Sequence, residues 1–513
     1  MANIQSHLNL PFSLPLLTIA FATLSLILFL LNQRRNSRHL PPSPPALPVI
    51  GHLHLLRPPI HRALDRLTTT YGPLLHLRFG SSLCIVASTA DLAREFLKTH
   101  DAVFTNRPST AASRQFAYND FGFAFAPFGP YWRFMKRLCM SELLGSQTVA
   151  ELRPVRNAEL RSMLKSIIDK AQRNEAVNLS KEIITLTNNE VTKMAASTAI
   201  GSETAEAREL VKQVAEIIGS FNLEDFIGIC RGMDLQGLGK RMQDVHSRFD
   251  RLLEGIMRGK EEEKRQGKKR DMKDLIDILL EVAADDKAEI KLSRENIKGF
   301  IMDLFTAGTD SSAATIEWAL AELINHPDAL QKLRDELDRV VGKDRLVEET
   351  DLPNLPYLNA AMKEAMRLHP AATISHRQSI KEVTVNGYTI PSDTTLFVNL
   401  WSVNRDPKYW VEPNEFKPER FLEGPTAGLD VRGLNFQLLP FGSGRRGCPG
   451  MTLAMQAVPV AVAALVQCFD WNVKGKVDME EGIGLVSARA RQLVLPVVPR
   501  LQPFPATDDS SYS

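Results

Sequence analysis

The chain has 513 residues, 44% of them hydrophobic and 24% charged, with a formal net charge of +2. That composition is of an ordinary globular protein, and the near-neutral charge, without aromatic-interleaved basic motifs, excludes a nucleic-acid binder. Five scattered cysteines, with no CxxC pair, exclude a disulfide framework and a structural zinc site and point to a reducing compartment.

The first element is an apolar, charge-free run, Leu14 to Leu31, just long enough to cross a bilayer core as a helix. Arg34, Arg35 and Arg38 follow it and no Lys or Arg precedes it. This predicts a retained anchor with the bulk of the chain in the cytosol. A cleaved signal peptide needs positive charge before the run and a small-residue site after it, and both cues are missing. Pro41-Pro42-Ser43-Pro44-Pro45 reads as a stiff, extended spacer. The organisation expected is an anchor and basic flank over 1–40, a proline-rich hinge over 41–46, one catalytic domain over 47–505 and a disordered tail over 506–513.

Between residues 47 and 90, short apolar runs such as Leu74 to Arg78 and Cys84 to Ala87 predict strands. From about Asp91 to Leu368 the period is helical. Gly259 to Lys273, rich in Lys, Glu and Arg, reads as a solvated helix end and loop. A long helix is expected from about Arg294 to Asn325, with Ser293 as N-cap and Pro327 just beyond its end. Strand signals return with Val383-Thr384-Val385, a turn at Asn386-Gly387, and Tyr388-Thr389-Ile390. An apolar helix is expected from about Met451 to Phe469. No repeat is visible, so a solenoid is not expected. The pattern is mainly α, with a small β portion built from both ends of the chain.

Three stretches carry chemistry. The long helix contains Ala307-Gly308-Thr309-Asp310-Ser311-Ser312. Gly308 weakens a helix by about 1 kcal/mol relative to alanine, a cost that is reasonable where a ligand approaches or water enters the groove. An acid beside hydroxyls, Asp310 with Thr309 and Ser311, can relay protons into a dry pocket. Glu364 and Arg367, spaced i,i+3, share a helix face. The third stretch, Phe441-Gly442-Ser443-Gly444-Arg445-Arg446-Gly447-Cys448-Pro449-Gly450, sets one cysteine in a glycine-rich loop before the apolar helix. The helix N-terminus offers free N–H groups and a positive dipole end to a thiolate. Glycines let a flat macrocycle approach the backbone, and Arg446 suits a carboxylate on it. A thiolate held there has what an axial metal ligand needs.

At every fixed position these last ten residues resemble the cysteine-ligand loop of the cytochrome P450 family, the haem-thiolate monooxygenases, and the resemblance covers essentially the whole chain. It implies the cytochrome P450 fold, triangular and mostly helical, with haem b buried between two long helices behind a single N-terminal transmembrane helix. Cys448 would be the iron ligand, Asp310 the acid and Ser311 the alcohol of the proton relay. Most members have threonine in the alcohol position; serine keeps the hydroxyl and loses the methyl that restricts its rotamer. Glu364 and Arg367 would join Arg420, of Pro418-Glu419-Arg420-Phe421, as a structural clamp for the cysteine loop. Haem contacts would come from Trp132, Lys136, Arg377, Phe441 and Arg446. Lys136 stands where the family's Trp-x-x-x-Arg pattern has arginine, a point charge in place of a planar fork. The substrate pocket would take Phe116, Phe121, Phe123, Met302 and Phe305 from the loop and the long helix. It would also take Ala307, Ala371, Thr373, Ile374 and Val486. His376, before Arg377, leaves pocket and packing roles both open.

The segments Phe123 to Trp132, Asp234 to Gly237 and Phe436 to Gly442 are similar to a plant microsomal group of flavone synthase II, isoflavone synthase, dihydroxypterocarpan hydroxylase and the soyasaponin-type triterpene hydroxylase. Cys139 to Leu144 and Val477 to Glu481 resemble the pterocarpan hydroxylase most. Isoflavone synthases carry lysine at the position of His376, which disfavours aryl migration. The activity implied is hydroxylation or desaturation of a flavonoid-type or pterocarpan-type substrate, small and apolar or phenolic. It would use O2 and NADPH electrons passed through a separate NADPH-cytochrome P450 reductase, since the chain shows no flavin or dinucleotide fingerprint. The setting implied is the endoplasmic reticulum membrane, single-pass, with a cytosolic catalytic domain. A pentacyclic triterpenoid hydroxylase is the alternative. An O2-independent haem-thiolate isomerase or dehydratase is disfavoured because such relatives lack the acid–alcohol pair, and a non-catalytic binder because the haem-contact motifs are retained.

Overall fold

Gly80, in the left-handed region at φ 58°, turns the chain between β1 (Leu74–Phe79) and β2 (Ser82–Ala87), the two apolar runs expected to be strands. Around this hairpin the structure, a computed structural model, describes residues 39–119, 122–196, 204–267, 273–471, 473, 475–501 and 504. The expected anchor at Leu14–Leu31, the basic flank up to Arg38 and the tail over 506–513 lie outside these residues. Helix α1 (Ile60–Tyr71) precedes β1, where the sequence suggested only strands. Its inward face includes Ala63, Leu64 and Thr68, spaced for a helix but too small and polar to stand out.

Late strands complete the sheet. They are β3 (Ile374–Gln378), β4 (Val383–Val385), β5 (Tyr388–Ile390) and β6 (Thr395–Asn399). The four-stranded order is β1-β2-β6-β3, with β2 and β6 parallel and the other pairs antiparallel. Both ends of the chain thus supply one sheet. β4 and β5 form a separate hairpin through the expected turn, with Asn386 and Gly387 at φ 50° and 80°, the two left-handed residues that a tight turn of this kind needs.

The rest is mostly helical. Helices α2 (Ala111–Phe116), α3 (Pro130–Leu138), α4 (Leu179–Ala196) and α5 (Leu238–Arg265) lead to α6 (Arg294–Asn325); α7 (Pro356–Leu368) and α8 (Met451–Cys468) follow. α6 begins at the expected cap: the Ser293 hydroxyl accepts from Asn296 N, and the Asn296 side chain accepts from Ser293 N. Its first half, from Ile297 to Phe305, packs into one apolar core with Phe116, Phe123, Trp132 and Val191. Its second half, from Ala313 to Leu323, packs into another with Val458 to Cys468 of α8. The acid-and-hydroxyl stretch of α6 lies between the two cores. Gly308 has a packing cause not foreseen from sequence: a Cβ there would lie 3.0 Å from Val191 Cγ2 of α4. Close helix contact is thus a second reason for glycine at this position, beside ligand or water approach. Among the described residues α8 is the one helix long and apolar enough to cross a membrane, and most of it is buried in the core.

Two polar segments differ from expectation. The proline segment is not a free spacer but a strap fastened to the domain. His76 N and Nδ1 donate to Pro42 O and Pro41 O at 2.9 and 2.6 Å, and His52 Nε2 donates to Pro44 O at 2.8 Å. Arg78 N donates to His52 Nδ1, which fixes that tautomer, and Thr389 N donates to His39 O at 2.8 Å. Prolines bring carbonyl acceptors and no donors, so the donors come from elsewhere, above all from two buried imidazoles. The second segment is the charge run after Gly259. Lys260 is buried against Asp274 and Asp277, one turn beyond Ile256 and Met257 on the inward stripe of α5.

Glu190 of α4 is buried, and desolvation pushes its carboxyl up to about 8 against the pull of Arg156. Folded protein therefore holds a proton there that unfolded protein releases near pH 4.5, and stability falls as pH rises through that window to about 8. Glu190→Gln is expected to raise the denaturation midpoint at pH 9 by the equivalent of roughly 1–3 kcal/mol and to change little at pH 4. Denaturant titrations at the two pH values check this.

Candidate active site

The cysteine loop closes on itself: Cys448 N donates to Phe441 O at 2.9 Å. Gly444, at φ 70°, has no room for a side chain, since a Cβ would sit 2.5 Å from Asp101 Oδ1 and 2.7 Å from Leu97 O. Cys448 lies deep in the protein, yet its side chain has open surface, so it faces an internal chamber. His376 does the same, and Ala307 is open midway along α6. Burial holds the Cys448 thiol above its ordinary value, although the N–H groups of Gly450 and Met451 and the charges of Lys136 and Arg107 favour the anion. A cation on the sulfur would tip that balance to the thiolate.

Four cations gather around this loop. Arg446 donates from Nε to Thr105 O at 2.7 Å and from Nη2 to Ala126 O at 2.6 Å, and its guanidinium lies 4.5 Å from the Trp132 ring centroid. Lys136 Nζ donates to Gly447 O at 2.9 Å. Arg377 Nη1 donates to His376 O at 2.9 Å. Arg107, which sequence reading missed, completes the set. Burial pushes Arg377 and Arg446 down to about 9, and Arg107 opposes both by like charge. Burial lowers Lys136 and Arg107 as well. None of the four has an ion-pair partner among the described residues, and the buried N–H groups Arg107 Nε, Arg377 Nε and Trp132 Nε1 are unpartnered. Uncompensated buried charge is costly. The cluster fits a group carrying more than one carboxylate, as haem does.

Along α6, Thr309 Oγ1 is buried without a partner, and Ser311 Oγ donates to Ala307 O one turn back at 2.6 Å. Asp310 is partly open, and burial raises its carboxyl, with Glu216 adding to the shift. The expected clamp is assembled in full. Arg367 donates to both Glu364 oxygens at 2.7 and 2.8 Å, and Arg420 Nε donates to Glu364 Oε1 at 2.9 Å. Arg367 also donates to the carbonyls of Asn404 and Pro413. Asn404 Oδ1 in turn accepts from Leu439 N, two residues before Phe441.

The expected pocket residues divide into two sets. Phe116, Phe123, Met302 and Phe305 are buried in the core around α6, with Phe123 stacked on Trp132 at 5.8 Å and Phe305 tilted against Phe249. Ala307, Ala371, Thr373, Ile374 and Val486 keep open surface. Ser487 N donates to Ala371 O at 2.9 Å, which brings the last of these beside the others. Phe121 lies outside the described residues. His376 stands edge-on to Phe397 at 5.0 Å, and desolvation pushes it down to about 4, so it faces the chamber as a neutral imidazole.

A mainly helical protein with one thiol facing an inner chamber, unpaired cations around it and an acid on the crossing helix has the architecture of a haem-thiolate enzyme. The family model described as Cytochrome P450 matches residues 41–494, and the chain belongs to the cytochrome P450 family. Cytochrome P450 93G1 of Oryza sativa subsp. japonica is 57% identical over 475 residues, 91% of this chain and 92% of that one. The 3,9-dihydroxypterocarpan 6A-monooxygenase of Glycine max is 48% identical over 501 residues, 95% and 97% of the two chains. A zebra fish cytochrome P450 solved with progesterone has a TM-score of 0.74 at 26% identity, over 86% of this chain and 100% of that one. The protein is thus a monooxygenase with thiolate-ligated haem that uses O2 and reductase-supplied electrons.

Proposed function

We propose that this monooxygenase hydroxylates or desaturates a flavonoid-type or pterocarpan-type substrate at the endoplasmic reticulum membrane, with electrons from NADPH-cytochrome P450 reductase. The observation that carries the substrate class is the 48% identity, over nearly the whole chain, to an enzyme named for a dihydroxypterocarpan. The open, small or apolar residues Ala307, Ala371, Ile374 and Val486, with the neutral imidazole of His376, suit a flat phenolic molecule.

In this reading Cys448 holds the iron, and Arg107, Lys136, Trp132, Arg377 and Arg446 hold the carboxylates of the haem. Bound haem supplies the oxidising chemistry on O2. The chain supplies dryness, position and protons. Asp310, its carboxyl raised by burial, keeps a proton closer to neutral pH than an exposed aspartate does. Ser311 must turn from Ala307 O to pass it on, a rotation that its missing methyl leaves free. Glu364, Arg367 and Arg420 fix the loop that presents Cys448.

Asp310→Asn is expected to slow product formation by about 10²-fold while leaving haem bound. Haem content and product per NADPH consumed are the readouts, and loss of haem would remove this role. For the substrate, microsomes with reductase and NADPH are offered flavanones, pterocarpans and pentacyclic triterpenes, and products are analysed by mass. Oxidation of a flavonoid or pterocarpan supports the reading. Oxidation of triterpenes alone, or of nothing, overturns it.

A further inference from the structure

We propose that Asp303 is a positioning residue: it locks the turn at Phe123 and Ala124 against α6 and, through that turn, sets where Arg446 of the cysteine loop lies. The inference rests on the haem-site reading above. Asp303 lies seven residues before Asp310, on nearly the same face of α6, deep in the protein and partly open. Its Oδ2 accepts from Phe123 N at 2.7 Å and from Ala124 N at 2.8 Å. The corner before them is tight: a Cβ on Gly122 would lie 3.0 Å from Asp303 Oδ2 and 3.0 Å from Ala117 Cβ, so one of these atoms would have to move.

The opposite edge of the same turn faces the cysteine loop. Ala124 O and Ala126 O accept from Arg446 Nη1 and Nη2 at 3.4 and 2.6 Å. The turn therefore has its N–H groups on the helix that carries Asp310 and its C=O groups on the loop that carries Cys448. Phe123 stacks on Trp132, the ring that also lies against the Arg446 guanidinium. Arg107 provides the nearby positive charge, and burial pushes the Asp303 carboxyl up to about 6, which leaves it ionised at neutral pH.

Either side of this turn is fastened independently. Tyr118, in the left-handed region at φ 50°, donates its hydroxyl to Asp250 at 3.0 Å. Phe128 N donates to Asn106 Oδ1 at 2.8 Å. Loss of Asp303 thus frees the middle of the segment and leaves its ends in place. An asparagine keeps an oxygen that can accept both N–H groups, and an alanine keeps none.

The test uses the full-length holoprotein as Asp303→Ala, Asp303→Asn and Gly122→Ala. Hydrogen exchange of the Phe123 and Ala124 amides is expected to speed at least tenfold in D303A and G122A and to stay within about threefold of the parent in D303N. Haem affinity, read from the rate of haem transfer to apomyoglobin, is expected to weaken at least tenfold in D303A and G122A, and to stay parental in D303N, with the thiolate-type carbon monoxide spectrum retained in the haem-loaded protein. Unchanged amide exchange in D303A overturns the proposal, as does parental haem affinity in D303A or G122A. Should D303A fail to fold, G122A and D303N decide alone. If the parent shows no thiolate-type spectrum, the haem-site reading fails, and the exchange measurement still decides whether Asp303 locks the turn.

Discussion

Replacing Cys448 with alanine removes the thiolate signature from the spectrum of reduced, carbon monoxide-bound protein and lowers turnover by at least about 10³-fold, roughly 4 kcal/mol of barrier. The fold should survive, because the side chain faces the chamber and contributes little packing. No other cysteine can take its place. Cys84, Cys139 and Cys468 are buried in the apolar cores, and desolvation pushes Cys139 and Cys468 up to about 12 and Cys84 higher still. Cys230 lies in a short helical turn before α5, outside the loop that carries Cys448. A thiolate-type spectrum in the Cys448→Ala protein would overturn the assignment of the iron ligand.

Glu364→Ala is expected to be more damaging to the molecule as a whole. Glu364 and Arg367 are wholly buried, and one carboxylate serves Arg367, Arg420 and the N–H of Lys417. Its removal leaves two guanidinium groups without a counter-charge in the interior, at a cost of about 3–5 kcal/mol. A protein with about 5–15 kcal/mol of total stability loses much of its margin. The loss should spread to the cysteine loop, because Arg367 holds the Asn404 carbonyl and Asn404 holds Leu439. The yield of thiolate-type spectrum per milligram and the denaturant midpoint should fall together. A variant with the parental midpoint and full spectrum would show that the cluster does not support the loop. Glu364→Gln, which keeps one acceptor oxygen, should fall between the two.

What the sequence disclosed follows the reach of the interactions. The N-cap at Ser293, the Asn386-Gly387 turn and the cysteine loop are each set by residues a few positions apart, and each stands where the sequence placed it. The Glu364–Arg367 spacing marks a pair on one helix face, while Arg420 lies 56 positions from Glu364 and was named only through the family resemblance. Arg107 and Asp303 carry no local mark. One is noticed by its buried, unpartnered Nε, the other by accepting two N–H groups from about 180 positions away. Gly308 was noticed for a chemical reason and has a packing one as well, because Val191 on another helix is invisible from the motif itself. The core phenylalanines were named for the pocket through the family resemblance, and an apolar side chain serves packing and ligand contact alike.

The fastened proline strap has a consequence for reach. From Leu31 at the end of the apolar run to His39, which Thr389 ties down, the chain advances eight residues, at most about 29 Å when fully drawn out. An anchor at Leu14–Leu31 would then be a short mooring with its landward end fixed on the β4–β5 hairpin through Thr389. A domain so anchored would keep a narrow range of heights above the lipid, and its search for a reductase on the same membrane would become a problem in two dimensions.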